Sequence, residues 1–125
     1  MHLRSRRQAI RSRLIIQKKR KVRADMLTLP IKKKWHDMIL SGEKKEEYRE
    51  INRYYRTRFR NLELLDEYGL TTNKTAVIAF RNGYRSDSPT FTAECYLVIK
   101  TGRRVWGAEE GRKYYALQIK KIIRE

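Results

Sequence analysis

The chain has 125 residues, a length that supports one hydrophobic core rather than two. Its 31 Lys and Arg against 14 Asp and Glu leave a net charge of +17, which points to a polyanionic partner, nucleic acid ahead of an anionic membrane surface. No apolar run approaches the ~18 residues of a membrane span, so membrane insertion is not expected, and the single cysteine, Cys95, excludes a disulfide framework or a cysteine-based zinc site.

Lone-cysteine usage suits a reducing, cytoplasmic setting. The charge is uneven. Residues 1–25 carry ten basic side chains and one acid, and all the aromatic residues follow position 26. Like-charge repulsion and scarce apolar area predict a basic, flexible N-terminal arm over 1–25. Two other readings of the same residues stay open: an Arg-rich, acid-poor presequence, and a leader ahead of a start at Met26.

From Met26 the pattern turns globular, and a domain is expected over 26–125. Residues 26–31 (MLTLPI) read as a short strand, with Pro30 biasing Leu29 away from helix. The run KKKWHDMILSG predicts a short helix with Trp35, Met38 and Ile39 on one face and Gly42 as its stop. Lys44–Ile51 reads as a polar strand. Asn52 is placed to cap a second helix, RYYRTRFRNLELLDE, with Tyr55, Phe59 and Leu62 as its apolar stripe and Gly69 as its end. Three strands rich in β-branched and aromatic residues follow, at Thr75–Phe80, Thr90–Ile99 and Tyr114–Ile123, separated by the turn signals NGYRSDSP and TGRRVWGAEEG. The order β-α-β-α-β-β-β predicts a small α+β domain whose strands curl into a barrel.

Gly42, Lys44, Glu47 and Arg49 form a G-x-K-x-x-E-x-R spacing where a helix turns into a strand. A cation, a carboxylate and a five-donor guanidinium at that place can hold a base edge or a phosphate. On a strand over 46–51, Glu47 and Arg49 share one face. Lys44 reaches that face only from the turn; otherwise Lys45 is better placed. The plainer reading is a surface strand whose alternating charges pair with one another.

The segment LPIKKKWHDMILSGEKKEEYR resembles the opening of the ASCH domain, a member of the PUA-like superfamily of small β-barrels. Gly42, Lys44, Glu47 and Arg49 match that family's signature position by position, and FRNGY, VWGAEEG and the closing YYALQI are similar to its later features, so the resemblance covers about 26–123. It implies a PUA-like barrel with two helices and a cleft beside the signature that binds RNA or a nucleotide. One branch of relatives deacetylates N4-acetylcytidine with an activated lysine, a threonine three residues later and a distant glutamate. Lys44 matches the lysine, but Glu47 stands at the threonine position and no distant acid can be assigned. Glu43, Glu46 and Glu47 beside it favour the ammonium form, so Lys44 reads as charged and structural. Another branch is a ribonuclease, and no catalytic set for it maps onto this chain. The expectation is a binding module; the alternative is a hydrolase acting on a modified nucleoside or RNA in the same cleft, with Lys44 as its catalytic residue.

The expected nucleic-acid contacts are Lys44 on phosphate, Glu47 accepting from a base amino group and Arg49 donating to a base or phosphate oxygen. Arg53, Arg56 and Arg60, at i, i+3, i+7 on the second helix, add a phosphate-facing row, and Asn82 and Tyr84 in RNGYRSD read a base edge at the cleft mouth. Tyr54, Trp106 and Tyr114 stack on bases or fill the barrel ends. His36 reads as surface or half-buried, and Cys95, mid-strand, as a buried inert thiol. No metal site and no cofactor are expected, since metal-ligand spacings and Gly-rich phosphate loops are absent. Nothing in the sequence names a protein partner.

Overall fold

Phe91, Ala93, Cys95 and Leu97 are buried at every second position of one strand, the period-2 signature of a sheet with one face on a core. A computed structural model describes residues 26–124. In chain order the elements are β1 (Thr28–Ile31), α1 (Lys33–Leu40), β2 (Glu46–Arg49), α2 (Arg53–Asn61), β3 (Thr75–Asn82), β4 (Thr90–Thr101) and β5 (Lys113–Arg124), with a 3₁₀ turn at Arg104–Trp106 between the last two strands. The expected α+β order is therefore present. The arm expected over 1–25 lies outside the described residues.

The five strands form one curled mixed sheet in the order β1-β3-β4-β5-β2, a half-barrel. β3, β4 and β5 make an antiparallel meander, β2 adds antiparallel to β5, and β1 adds parallel to β3. Register shifts in β4 between Thr92 and Ala93 and between Glu94 and Cys95 let the long β4–β5 ribbon bend, as β-bulges do. The expected closure of a barrel is replaced by a seam. β1 and β2 end the sheet on opposite sides, and among the described residues no ladder joins them.

Inside the curl, Leu29 and Ile31 from β1, Ile78 and Phe80 from β3, Phe91 and Leu97 from β4, and Tyr115 and Leu117 from β5 pack with Ile39 and Phe59 from the two helices. Fully burying a side chain of this size stabilises by about 1.5–3 kcal/mol.

Both helices differ in detail from expectation. On α1 the inward face is set by His36 and Ile39, with Trp35 and Leu40 flanking it, so the stripe is rotated from the one predicted. His36, expected at or near the surface, is 7% exposed and packs edge-on against Phe91 at 5.1 Å between ring centroids. α2 begins as predicted, with Asn52 Oδ1 accepting from the Tyr55 N–H at 2.9 Å, but it stops at Asn61, well before Gly69. Leu64 and Leu65, past this end, are both buried in the core. Glu63 takes the left-handed conformation at φ 61° that ends the helix, and the Leu64 N–H returns to the Phe59 carbonyl at 2.9 Å.

Candidate nucleotide-binding cavity

α1 ends in a tight turn through Gly42, whose φ of +83° suits glycine. The Lys44 N–H then donates to the Met38 carbonyl at 2.9 Å, which folds residue 44 back beneath the helix. Its side chain is fully enclosed. Nζ donates to the Trp106 carbonyl at 2.7 Å, lies 3.2 Å from Glu47 Oε1, and sits 5.0 Å from the ring centroids of both Trp35 and Tyr48. Burial pushes the Lys44 ammonium below the ordinary lysine value, opposed by Glu47. This reverses the balance expected from the neighbouring carboxylates: Glu43 is exposed, Glu46 is committed elsewhere, and burial outweighs the one acid in contact.

Glu47 and Arg49 share a face of β2 as predicted, with Arg49 Nη2 donating to Glu47 Oε2 at 3.2 Å. The same Nη2 also reaches the Pro30 carbonyl at 3.1 Å, tying the β2 edge to the β1 edge across the seam. Arg49 Nε is buried and has no acceptor among the described residues, a state that costs about 1–3 kcal/mol for a polar group.

The opposite face of β2 anchors the loop that roofs this region. Glu46, 4% exposed, accepts from Tyr48 Oη at 2.8 Å and from Gln118 Nε2, and lies 2.9 Å from Lys100 Nζ. Burial alone would raise its carboxyl, but the hydrogen bonds from Gln118, Lys100 and Tyr48 together hold it below the ordinary range. Tyr48 Oη in turn accepts the Arg103 N–H at 2.9 Å, and burial pushes its hydroxyl up to about 12. From that anchor the chain runs through the Arg104–Trp106 turn to Gly107, whose φ of +100° lays the backbone flat on Trp35. A Cβ at Gly107 would stand 3.0 Å from Trp35 Cζ2.

The result is a cavity of about 510 Å³ at the seam. Trp35, Tyr48, Tyr84 and Trp106 supply aromatic surface, Glu47, Arg49 and Asn82 supply polar groups, and Lys32 and Lys33 stand on the β1 side. Tyr84 is 88% exposed, at the mouth where it was expected. Among the charged residues of the wall, Lys33 pairs with Asp37 and Arg49 with Glu47, which leaves Lys32 as the cation without an acidic partner among the described residues.

Of the residues singled out from sequence, Glu47, Arg49, Asn82 and Tyr84 meet here. Lys44 lies behind the wall, with no exposed surface for the phosphate expected to meet it. Arg53, Arg56 and Arg60 line a different hollow. Trp106 joins the cavity, whereas Tyr114 is buried and packs on Tyr48 at 5.5 Å. Tyr54, half exposed, is covered by the Arg58 guanidinium at 3.4 Å and lines neither space.

No family model matches this chain, and neither a curated protein nor a solved structure matches it.

Sequence reasoning missed Trp35 and Tyr48 as cavity walls, because at their spacings they read as core stripe and strand face. Lys32 and Lys33 were missed because a lysine run carries no local signal of what it faces. Among the described residues no three His, Cys, Asp or Glu side chains gather into a metal-binding group, and no helix is long and apolar enough to cross a membrane.

Proposed function

We propose that this chain is an ASCH-type, PUA-like module that binds RNA or a nucleotide in the seam cavity. The observation that carries this reading is the Glu47–Arg49 pair, 3.2 Å apart, set in a wall of aromatic rings. A nucleobase is flat, apolar on its faces and polar at its edge. The rings of Trp35, Tyr48 and Trp106 suit the faces, at roughly 1–3 kcal/mol per stacked base. The edge falls to Glu47, which accepts from an exocyclic amino group, and to Arg49, which donates to a ring nitrogen or an oxygen. Lys32 complements a phosphate at the rim. Lys44 acts from behind, as a positioning residue that fixes the Glu47 side chain and holds the Trp106 carbonyl in place.

The hydrolase alternative requires the Lys44 amine to touch a substrate. Nζ is enclosed and engaged by Trp106 and Glu47, so the geometry favours the module. Binding in a reducing cytoplasm is consistent with the unpaired thiol of Cys95.

Isothermal titration of short single-stranded RNA into the wild type, Glu47→Ala and Arg49→Ala tests the reading. Each substitution is expected to weaken binding by roughly 1–3 kcal/mol, the range for hydrogen bonds to charged groups. Two folded variants that bind as the wild type does would show that the pair is a structural ion pair alone.

A further inference from the structure

Arg53, Arg56 and Arg60 line a hollow of about 470 Å³ together with Ile51, Asn52 and Thr57. All three arginines are exposed, and among the described residues none of their guanidinium groups has a carboxylate or carbonyl partner. Some other cations among the described residues are paired, whereas these three are not. Lys33, Lys74, Arg85, Lys100, Arg104 and Arg112 each have an acidic partner within 4 Å. An unneutralised row against a polar hollow is a surface arranged for an anion.

The row also has a length and a position. From Arg53 to Arg60 the helix rises about 10.5 Å, at 1.5 Å per residue. That extent suits a run of backbone phosphates better than one phosphate group. Its near end adjoins the seam cavity: Ile51, in the hollow, is two residues beyond Arg49, in the cavity wall, a chain distance of about 7 Å. Tyr115, paired with Arg49 in the sheet, lines the hollow, and the Arg49 guanidinium lies 5.8 Å from the ring of Tyr55 on α2. Arg49 therefore stands on the ridge between the two spaces.

We infer that the ligand is a single-stranded nucleic acid, not a free nucleotide, and that the α2 hollow carries its phosphodiester backbone away from the base held in the cavity. This rests on the reading of the cavity given above and identifies the class of molecule that fills it. Base recognition would be local to the seam. The arginine row would add affinity that is independent of sequence and falls steeply with salt.

The test uses the full chain, Arg53→Gln/Arg56→Gln/Arg60→Gln, and Glu47→Ala. Arg56 packs within 3.0 Å of the space beside Gly69, so Arg53→Gln/Arg60→Gln serves as a second variant should the triple one fold poorly. A mixed-sequence eight-nucleotide RNA is followed by fluorescence anisotropy at several salt concentrations, and the four nucleoside monophosphates by quenching of tryptophan emission. The triple variant is expected to bind the RNA about ten-fold more weakly at moderate salt, with its log–log salt slope reduced by about 2, at about 0.7 per phosphate contact. Its affinity for monophosphates should not change. RNA binding with wild-type affinity and slope would overturn the inference. So would an equal loss for monophosphates, which would place the nucleotide's own phosphate in the hollow. If instead monophosphates fail to quench any protein and Glu47→Ala is silent while the triple variant still loses RNA, the cavity reading fails and the backbone groove stands.

Discussion

Lys44→Met removes the ammonium at the centre of the site while nearly preserving volume. Three contacts are lost: the 2.7 Å hydrogen bond to the Trp106 carbonyl, the 3.2 Å pairing with Glu47, and the approach to two rings at 5.0 Å each. A hydrogen bond to a charged group contributes about 1.5–3 kcal/mol, and a desolvated cation–π contact about 2 kcal/mol. Against this, the substitution relieves the several kcal/mol that enclosing an ammonium costs. Glu47 keeps Arg49 as a partner, so the uncompensated loss falls on the Trp106 carbonyl, and the net effect is about 2 kcal/mol of destabilisation. For a domain of this size that lowers Tm by about 8–16 °C. Urea unfolding at neutral pH, followed by tryptophan emission, measures it directly. A pH series supplies the sign. Because burial lowers the Lys44 value in the folded state, the unfolded chain binds more protons between that value and the ordinary 10.5. Wild type should therefore gain stability relative to Lys44→Met as pH rises through that window. A methionine variant as stable as the wild type at neutral pH, with no pH-dependent difference, would refute the role given to Lys44.

Glu46 gives the opposite pH signature. Its carboxyl is held below the ordinary value of 4.5, so its contribution is complete above that pH and lost as pH falls through the folded value. Glu46→Gln should be less stable than the wild type at pH 7, and the gap should close in acid; thermal melts that stay parallel down to pH 3 would contradict this. The Cys95 thiol, fully buried and pushed up to about 12 by burial, should ignore a disulfide reagent at pH 8 until the protein is unfolded. Rapid labelling of the folded protein would show that β4 opens far more readily than its packing implies.

How much of this was legible beforehand depends on how local each determinant is. β4 announces itself through β-branched and aromatic residues between turn signals, α1 through Gly42 and α2 through the Asn52 cap, because each signal lies within a few residues of what it controls. The early end of α2 was hidden because Glu63, not a glycine, adopts the left-handed turn. Glu47 and Arg49 could be placed on one face from strand geometry alone. The enclosure of Lys44 could not: its main acceptor is Trp106, 62 positions away, and the parallel pairing of β1 with β3 that helps form the seam has no short-range signature. The basic character of the chain was plain throughout. Which of its arginines find carboxylates, and which line a cavity or a hollow, only the packed structure decides.

The chain contains two tryptophans, and both Trp35 and Trp106 line the seam cavity. Tryptophan fluorescence therefore reports this cavity, together with the neighbouring hollow that Trp106 also lines, and a titration of tryptophan emission with single-stranded RNA is the most direct measurement. Stacking of a base against these rings predicts saturable quenching that tracks binding measured by anisotropy and shifts to higher concentration in Glu47→Ala and Arg49→Ala. RNA that binds by anisotropy while leaving the emission of both tryptophans unchanged would contradict the assignment of the cavity.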